Sequence, residues 1–237
     1  MLAILGAIEA EIGLVRGRIR DAEDVRVGST DIRVGGYVAP SGWRLDVAVA
    51  RCGVGKVNAA LAVAALARVG VTRALFTGVA GGVAPGLSVG DLVVATDLVQ
   101  HDVDVTSLGY PRGQLIGEPF AWVAEAALSA TVMEAARAAL AGSGSAVHRG
   151  RIVSGDQFVA DPQRAGVLHA DFGAWCAEME GAAFAQACAA YDLPFAVVRA
   201  ISDTADGNAP ADFTTFLTRA SEVGLALVDA LVDRLGR

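Results

Sequence analysis

The run Pro194-Phe195-Ala196-Val197-Val198-Arg199-Ala200-Ile201-Ser202-Asp203 constrains this chain more than any other stretch. It begins as the apolar, β-branched pattern of a strand buried on both faces, and it ends without a break in Arg, Ser and Asp. In open α/β sheets ligands bind beyond the carboxyl ends of the strands, so Arg199, Ser202 and Asp203 stand where a strand would deliver them to a site. A strand that stops in a capped turn accounts for them equally well, with Ser202 and Asp203 accepting from backbone amides and Arg199 pairing locally. This stretch alone leaves both readings open.

A chain of 237 residues, 54% hydrophobic and 19% charged, can bury a large core. One domain over residues 1–237 is the expected organisation, with no repeat, linker or low-complexity tract to divide it. The formal charge of −7 and the absence of a Lys/Arg cluster argue against nucleic acid or an anionic membrane surface as partner. A small molecule is the expected partner. Cys52, Cys176 and Cys188 are far apart and odd in number, which does not describe a disulfide framework and fits a reducing cytoplasm. The N-terminus turns acidic at Glu9 and Glu11 and lacks the basic start and long apolar run of a signal peptide. No apolar stretch reaches the ~18 residues of a membrane span.

Strands and helices are expected to alternate. Leu2 to Leu5 read as a buried strand that breaks at Gly6, followed by a helix over Ile8 to Arg20. Glu9 and Glu11 then lie at that helix N-terminus, where an acidic side chain is favourable in itself. Ile32 to Val38 and Leu45 to Ala50 read as antiparallel strands, and Val57 to Arg68 as an Ala-rich helix. Ala74 to Thr77 is expected to be a strand emptying into a glycine loop, Gly78-Val79-Ala80-Gly81-Gly82, whose backbone amides can approach a ligand. A strand from Leu92 to Ala95, a polar loop from Gln100 to Gly117, a helix from Ala121 to Leu140 and a strand from His148 to Val153 follow. Glu180 to Ala190 and about Phe213 to Leu235 read as helices, with Thr204 to Ala211 as a mobile flap between Asp203 and the last of them.

Several familiar motifs are absent or incomplete. Gly53-Val54-Gly55-Lys56 is not a P-loop, because Ala50 occupies the position of the first glycine and Val57 that of the magnesium-binding hydroxyl. It reads as a turn that lets a helix pack closely on the sheet. His101, Asp102 and Asp104 lack the spacing of metal ligands on one element, and no Ser or Cys lies in a G-x-S-x-G elbow. What remains is a set of polar groups at the ends of strands: Glu11, Glu180, Asp203, Arg199 and the aromatic Phe158. Three carboxylates brought together suit proton transfer at a sugar carbon, one protonating the leaving group and another activating water.

Seven segments in order carry a resemblance over nearly the whole chain: Gly6-Ala7-Ile8-Glu9-Ala10-Glu11, Gly53 to Val57, Thr77 to Gly82, His101 to Thr106, Val153 to Phe158, Glu178-Met179-Glu180 and Val198 to Asp203. In these the sequence resembles the 5′-methylthioadenosine/S-adenosylhomocysteine nucleosidases of the purine nucleoside phosphorylase-like superfamily. The resemblance implies a three-layer α/β domain with a twisted mixed sheet, partly barrel-like, flanked by helices. It implies hydrolysis of the N-glycosidic bond of methylthioadenosine and adenosylhomocysteine, with 5′-deoxyadenosine as a further substrate to test. No metal or organic cofactor is implied.

By the same resemblance Asp203 is the general acid at adenine N7 and Glu11 the group that activates water. Glu180 holds the ribose hydroxyls, Met179 packs on the sugar, Phe158 stacks on adenine and Val159 offers backbone hydrogen bonds to it. Ser202 positions Asp203, and Arg199 places the water beside Glu11. Val79 stands where relatives often carry Ser, near the water, and Leu108 and Ile116 stand where relatives can carry Phe and Pro. The loop holding those two is implied to cross a homodimer interface to the 5′ substituent. A futalosine-type nucleoside hydrolase, a phosphate-dependent phosphorylase and a binding module without turnover are the alternatives. Glu9 and Glu11 in the first loop would repel a phosphate dianion, which favours water as nucleophile. A pure binder would not need both an acid and a base.

Overall fold

In a computed structural model, residues 1–204 and 209–236 are described, with side chains omitted over 209–215. Of the expected flap over 204–211, residues 205–208 lie outside the described residues, and 209–211 belong to the last helix. In chain order the elements are β1 (Leu2–Gly6), α1 (Glu9–Gly17), β2 (Ile19–Val27), β3 (Thr30–Val38), β4 (Arg44–Arg51), α2 (Lys56–Arg68), β5 (Arg73–Gly82) and β6 (Leu92–Gln100). A 3-10 turn at Thr106–Leu108 precedes β7 (Trp122–Val123), α3 (Ala126–Ala139), β8 (Val147–Ser154), α4 (Pro162–Phe172), β9 (Ala174–Glu178), α5 (Gly181–Ala190), β10 (Phe195–Asp203) and α6 (Ala209–Leu235).

The strands make one mixed sheet whose order is β10-β6-β8-β9-β5-β1-β4-β3-β2, with β7 on the side of β6. β10 also pairs in parallel with β5, from Phe195 opposite Ala74 to Asp203 opposite Gly81. That pairing closes β10, β6, β8, β9 and β5 into a ring, while β1, β4, β3 and β2 extend the sheet from β5. The barrel-like α/β fold expected from the sequence is therefore present. Inside the ring no strand has a free edge, which is why every residue of β10 is buried.

Helices cover both faces. Ala3, Leu5, Phe76 and Phe195 pack with Ala62, Leu66 and Phe184 of α2 and α5. Leu2, Ile4 and Val198 pack on the opposite side with Ile12, Val132, Leu227 and Leu231 of α1, α3 and α6. Alternation along β1 thus divides one strand between two cores. Phe184 meets Phe76 edge-on at 5.0 Å and Phe195 at 5.8 Å. Such buried rings contribute roughly 1.5–3 kcal/mol each, with about 0.5–1.5 kcal/mol more for the edge-to-face geometry.

Several element boundaries differ from the sequence reading. The glycine segment Gly78–Gly82 is not a loop but the second half of β5, paired with β10 and β9. A Cβ on Gly81 would stand 3.1 Å from Asp203 Oδ1, a tight contact that would press on that carboxylate. The first helix ends at Gly17, and the residues after it form β2, an exposed ribbon strand hydrogen-bonded to β3. Trp122 belongs to β7 and not to a helix, and α3 begins only at Ala126, where the Glu125 side chain accepts from Ala127 N and Leu128 N. The last helix starts at Ala209 rather than near Phe213. α4 and β9 had no counterpart in the sequence reading.

Candidate active site

Four chain segments converge at the carboxyl ends of the ring strands and of β1. Glu11 is the third residue of α1, and its carboxylate turns back on its own helix start: Oε2 accepts from Ala7 N at 2.6 Å and Ile8 N at 3.1 Å. Oε1 accepts from Val79 N on β5 at 3.0 Å. Capping and site placement are therefore the same arrangement, not rival explanations. Burial raises the Glu11 pKa above the ordinary carboxylate value, against the lowering effect of Arg199 and of the three amides.

Behind Glu11 lies a buried ion pair. Arg199 Nε and Nη2 donate to Glu178 Oε2 at 3.1 and 2.5 Å, and the guanidinium carbon stands 4.1 Å over the Phe76 ring. A methyl on Gly78 would meet Glu11 Oε1 at 2.6 Å and Arg199 Nη1 at 2.8 Å, which fixes Arg199 beside both glutamates. Burial works against the charge on Arg199, but Glu178, Glu11 and Glu180 together raise its pKa. Glu178 also accepts from the Ser154 hydroxyl and from the amides of Glu180 and Gly181 at the start of α5. The sequence shows Glu178 only as part of the segment Glu178-Met179-Glu180, without a role of its own. Its position at a strand end immediately before a helix was the available signal.

Glu180 is the N-cap residue of α5, and its Oε1 accepts from Gly55 N at 2.7 Å. Burial, reinforced by Glu178, pushes its pKa up to about 7. The Gly53 to Lys56 segment is thus more than a packing turn. Lys56 N donates to Asp156 Oδ1 at 2.9 Å, Lys56 Nζ donates to Asp102 at 2.7 Å and Gln100 at 3.1 Å, and Asp156 N donates to Asp102 Oδ2 at 3.0 Å. Three loops, following β4, β6 and β8, are tied together through this lysine, and Glu180 is held by the amide beside it. His101 is fully buried against Gly155, while Asp104 accepts from Thr106 in its own loop.

Asp203 ends β10 at 2% exposure, and its Oδ2 accepts from Ser202 Oγ at 2.8 Å. Its Oδ1 and the Val159 carbonyl face the same space next to Gly81. A cavity of about 240 Å³ brings Glu11, Val79, Phe158, Val159, Met179, Glu180, Ser202 and Asp203 together on its lining. Arg199 is the one sequence-predicted site residue that does not line it, lying one layer behind. Phe158 is half exposed at the rim. Among the described residues, no Arg or Lys lines this cavity.

The cavity is thus lined by four carboxylates, Glu11, Glu178, Glu180 and Asp203, together with the apolar side chains of Val79, Phe158, Val159 and Met179. The family model of the phosphorylase superfamily matches residues 1–233, and the chain belongs to that superfamily. A relative from Shewanella denitrificans, a 5′-methylthioadenosine/S-adenosylhomocysteine nucleosidase, is 36% identical over 99% of both chains. The structure of the Neisseria meningitidis nucleosidase of that name, in complex with methylthio-immucillin-A, is 36% identical, covers 98% of each chain and superposes with a TM-score of 0.90. A futalosine hydrolase mutant from Helicobacter pylori superposes with a TM-score of 0.88 at 31% identity over 98% of each chain. Within the superfamily the chain belongs with the 5′-methylthioadenosine/S-adenosylhomocysteine nucleosidases.

Proposed function

We infer that this chain hydrolyses the N-glycosidic bond of 5′-methylthioadenosine and S-adenosylhomocysteine, releasing adenine and the 5′-thioribose. The observation that carries this reading is the convergence of Asp203, Glu180 and Glu11 on one 240 Å³ cavity. As the C1′–N9 bond breaks, its electrons pass to the purine and positive charge grows on the ribose. Asp203 donates a proton to N7, so adenine leaves neutral, with Ser202 orienting the carboxyl group. Water adds to C1′, and Glu11 takes its proton. A carboxylate whose pKa is raised is a better base than an ordinary one.

Glu180 accepts from the ribose hydroxyls, and its negative charge stabilises the oxocarbenium-like transition state more than the ground state. Met179 packs on the sugar, Phe158 stacks on adenine, and the Val159 backbone bonds its edge. Arg199, held by Glu178, fixes Glu11 and the water from behind. Val79 supplies a backbone amide to Glu11 and no hydroxyl to the nucleophile.

Water rather than phosphate suits a cavity bordered by four carboxylates, Glu11, Glu178, Glu180 and Asp203, with no cation on its described lining. The likeness to a futalosine hydrolase supports one second reading, in which the same acid, base and ribose groups serve a different 5′ substituent. A homodimer is the proposed assembly. Exposed apolar side chains at the start of α2, Val54, Val57 and Leu61, and in the polar loop, Leu108 and Ile116, support it. No helix of the described residues is long and apolar enough to cross a membrane. The three cysteines are free, and the cytoplasm is the proposed location. Residues 1–237 are proposed to act as one domain.

The test is product analysis with methylthioadenosine, with and without inorganic phosphate. Free adenine and free thioribose at equal rates in both samples are expected, with Asp203→Asn inactive yet folded by circular dichroism. A phosphate requirement, or a sugar 1-phosphate product, would move the chain to the phosphorylases.

A further inference from the structure

By composition α1 is a weak helix. It has nine residues, and two of them, Gly13 and Gly17, are glycines. A helix so short is marginal on its own, and glycine is among the poorest helix formers. Glu11 nevertheless stands in its first turn. The bonds from Ala7 N and Ile8 N fix the carboxylate only relative to that same helix start, and of its other hydrogen bonds among the described residues one comes from the sheet, at Val79 N. The helix itself must be held from outside.

That hold comes from α6, which crosses α1 at this turn. Ser221 Oγ donates to the Ala10 carbonyl, one residue before Glu11, and lies 3.1 Å from the Leu217 carbonyl of its own helix. One turn further along, Gly224 brings the α6 backbone so near that an added Cβ would stand 3.5 Å from the Glu11 carbonyl oxygen. The peptide groups before and after Glu11 are thus both met by α6. Apolar packing leaves slack at this crossing, because a void of about 10 Å³ remains there, lined by Glu11, Thr77, Ala220, Val223, Gly224 and Leu227 among others. Dispersion contacts weaken across such a gap, whereas a hydrogen bond fixes a distance and an angle. The Ala10 carbonyl has two lone pairs, so it accepts from Ser221 without giving up its helix bond.

We propose, on the basis of the nucleosidase reading, that Ser221 is a positioning residue for the base: its hydroxyl pins the Ala10 carbonyl and so holds Glu11 at the distance the attacking water requires. Ser221 is not on the lining of the nucleoside cavity, so it acts through α1 and not on the substrate. Its effect belongs to the chemical step rather than to binding. A misplacement of about 1 Å in a reacting group costs on the order of 10²-fold in rate. Losing one restraint while the amide bonds to Glu11 remain is expected to cost less, about fivefold.

The experiment is steady-state kinetics with methylthioadenosine, together with thermal melts, for the full chain as wild type, Ser221→Ala, Ser221→Thr and Tyr37→Phe. Tyr37 is the control, because its hydroxyl donates to Asp229 Oδ1 at 2.7 Å, farther along the same helix, and it does not line the cavity. The alanine and phenylalanine variants each remove one hydroxyl bond between α6 and the rest of the fold, and each is expected to lower the melting temperature by about 2–4 °C. Only Ser221→Ala is expected to lower kcat, about fivefold, with KM held within about twofold. Ser221→Thr restores the hydroxyl and should return kcat to within about twofold of the wild type. An unchanged kcat in Ser221→Ala, an equal fall in Tyr37→Phe, a fall that threonine does not recover, or a change confined to KM would each overturn the assignment. A wild type that releases no adenine is a separate outcome, which would remove the nucleosidase reading itself and this role with it.

Discussion

At the scale of single residues, Glu180, the proposed ribose carboxylate, carries a buried charge that costs stability. Its pKa is raised from the ordinary 4.5 to about 7 in the folded protein, burial being the main cause. Between those two values the folded state holds a proton that the unfolded state has released. Stability therefore falls as pH rises from about 4.5 to about 7, and the full cost of the buried charge is present above that. The shift corresponds to about 3 kcal/mol at most. Glu180→Gln keeps an acceptor for the Gly55 amide and removes the charge, so it is expected to raise the melting temperature at pH 8 and to do so much less at pH 5. Catalysis should fall at both. In the wild type, KM for the nucleoside should rise as pH drops below about 7, because protonated Glu180 accepts the ribose hydroxyls less well. Thermal melts and KM measured across pH 5 to 8 check both, and a Glu180→Gln gain independent of pH would refute the assigned cause.

At the scale of elements, the loops after β4, β6 and β8 act as one bracket around the Glu180 end of the cavity, the proposed ribose end. Lys56 joins Asp102 and Gln100 to the start of α2, and the neighbouring Gly55 amide holds Glu180. Lys56→Met would leave Asp102 partly buried without its cation, and is expected to raise KM about tenfold with a smaller fall in kcat. Lys56→Arg should recover part of the loss, and near-ultraviolet circular dichroism of the methionine variant should match the wild type. A loss confined to kcat would mean that Lys56 does not act through ribose binding. The sequence hid this role because Gly-x-Gly-Lys looks complete as a turn, and its partners lie 44 to 100 residues away. Other elements were illegible for local reasons. β2 is exposed along most of its length and shows no apolar alternation. β9, Ala-Trp-Cys-Ala-Glu, lacks β-branched residues, and α4 announced itself only by Asp161-Pro162, a capping residue followed by a first-turn proline.

At the scale of the whole molecule, the closed ring explains why strand ends can carry buried charge. Arg199 and Glu178 stand on β10 and β9, members of the same ring, and neither can withdraw to water. Removing either partner strands the other, at a cost of roughly 3–5 kcal/mol. The exposed apolar residues of α2 and the loop after β6 belong to this scale too. Val57 is 70% exposed and Leu108 63%. Val57→Asp is expected to convert the proposed dimer to a monomer in sedimentation equilibrium and to raise KM for methylthioadenosine, since in that assembly the loop over the 5′ substituent would come from the second copy. A variant that remains dimeric with unchanged KM would place the interface elsewhere.

By itself the sequence determined the family and the α/β class, and it singled out Glu11, Glu180 and Asp203, which the fold brings to one cavity. It did so because apolar strand patterns that end in charge are local signals, and seven short segments in order are specific together. Only the tertiary structure decided that Gly78 to Gly82 is a strand and not a loop, that Arg199 lies behind the cavity beside Glu178 and Glu11, that the Gly55 amide holds Glu180 and that Lys56 ties three loops together. These depend on ring closure between β5 and β10 and on contacts between residues far apart in the chain. No local propensity records which distant carboxylate a buried cation or a helix-start amide will meet.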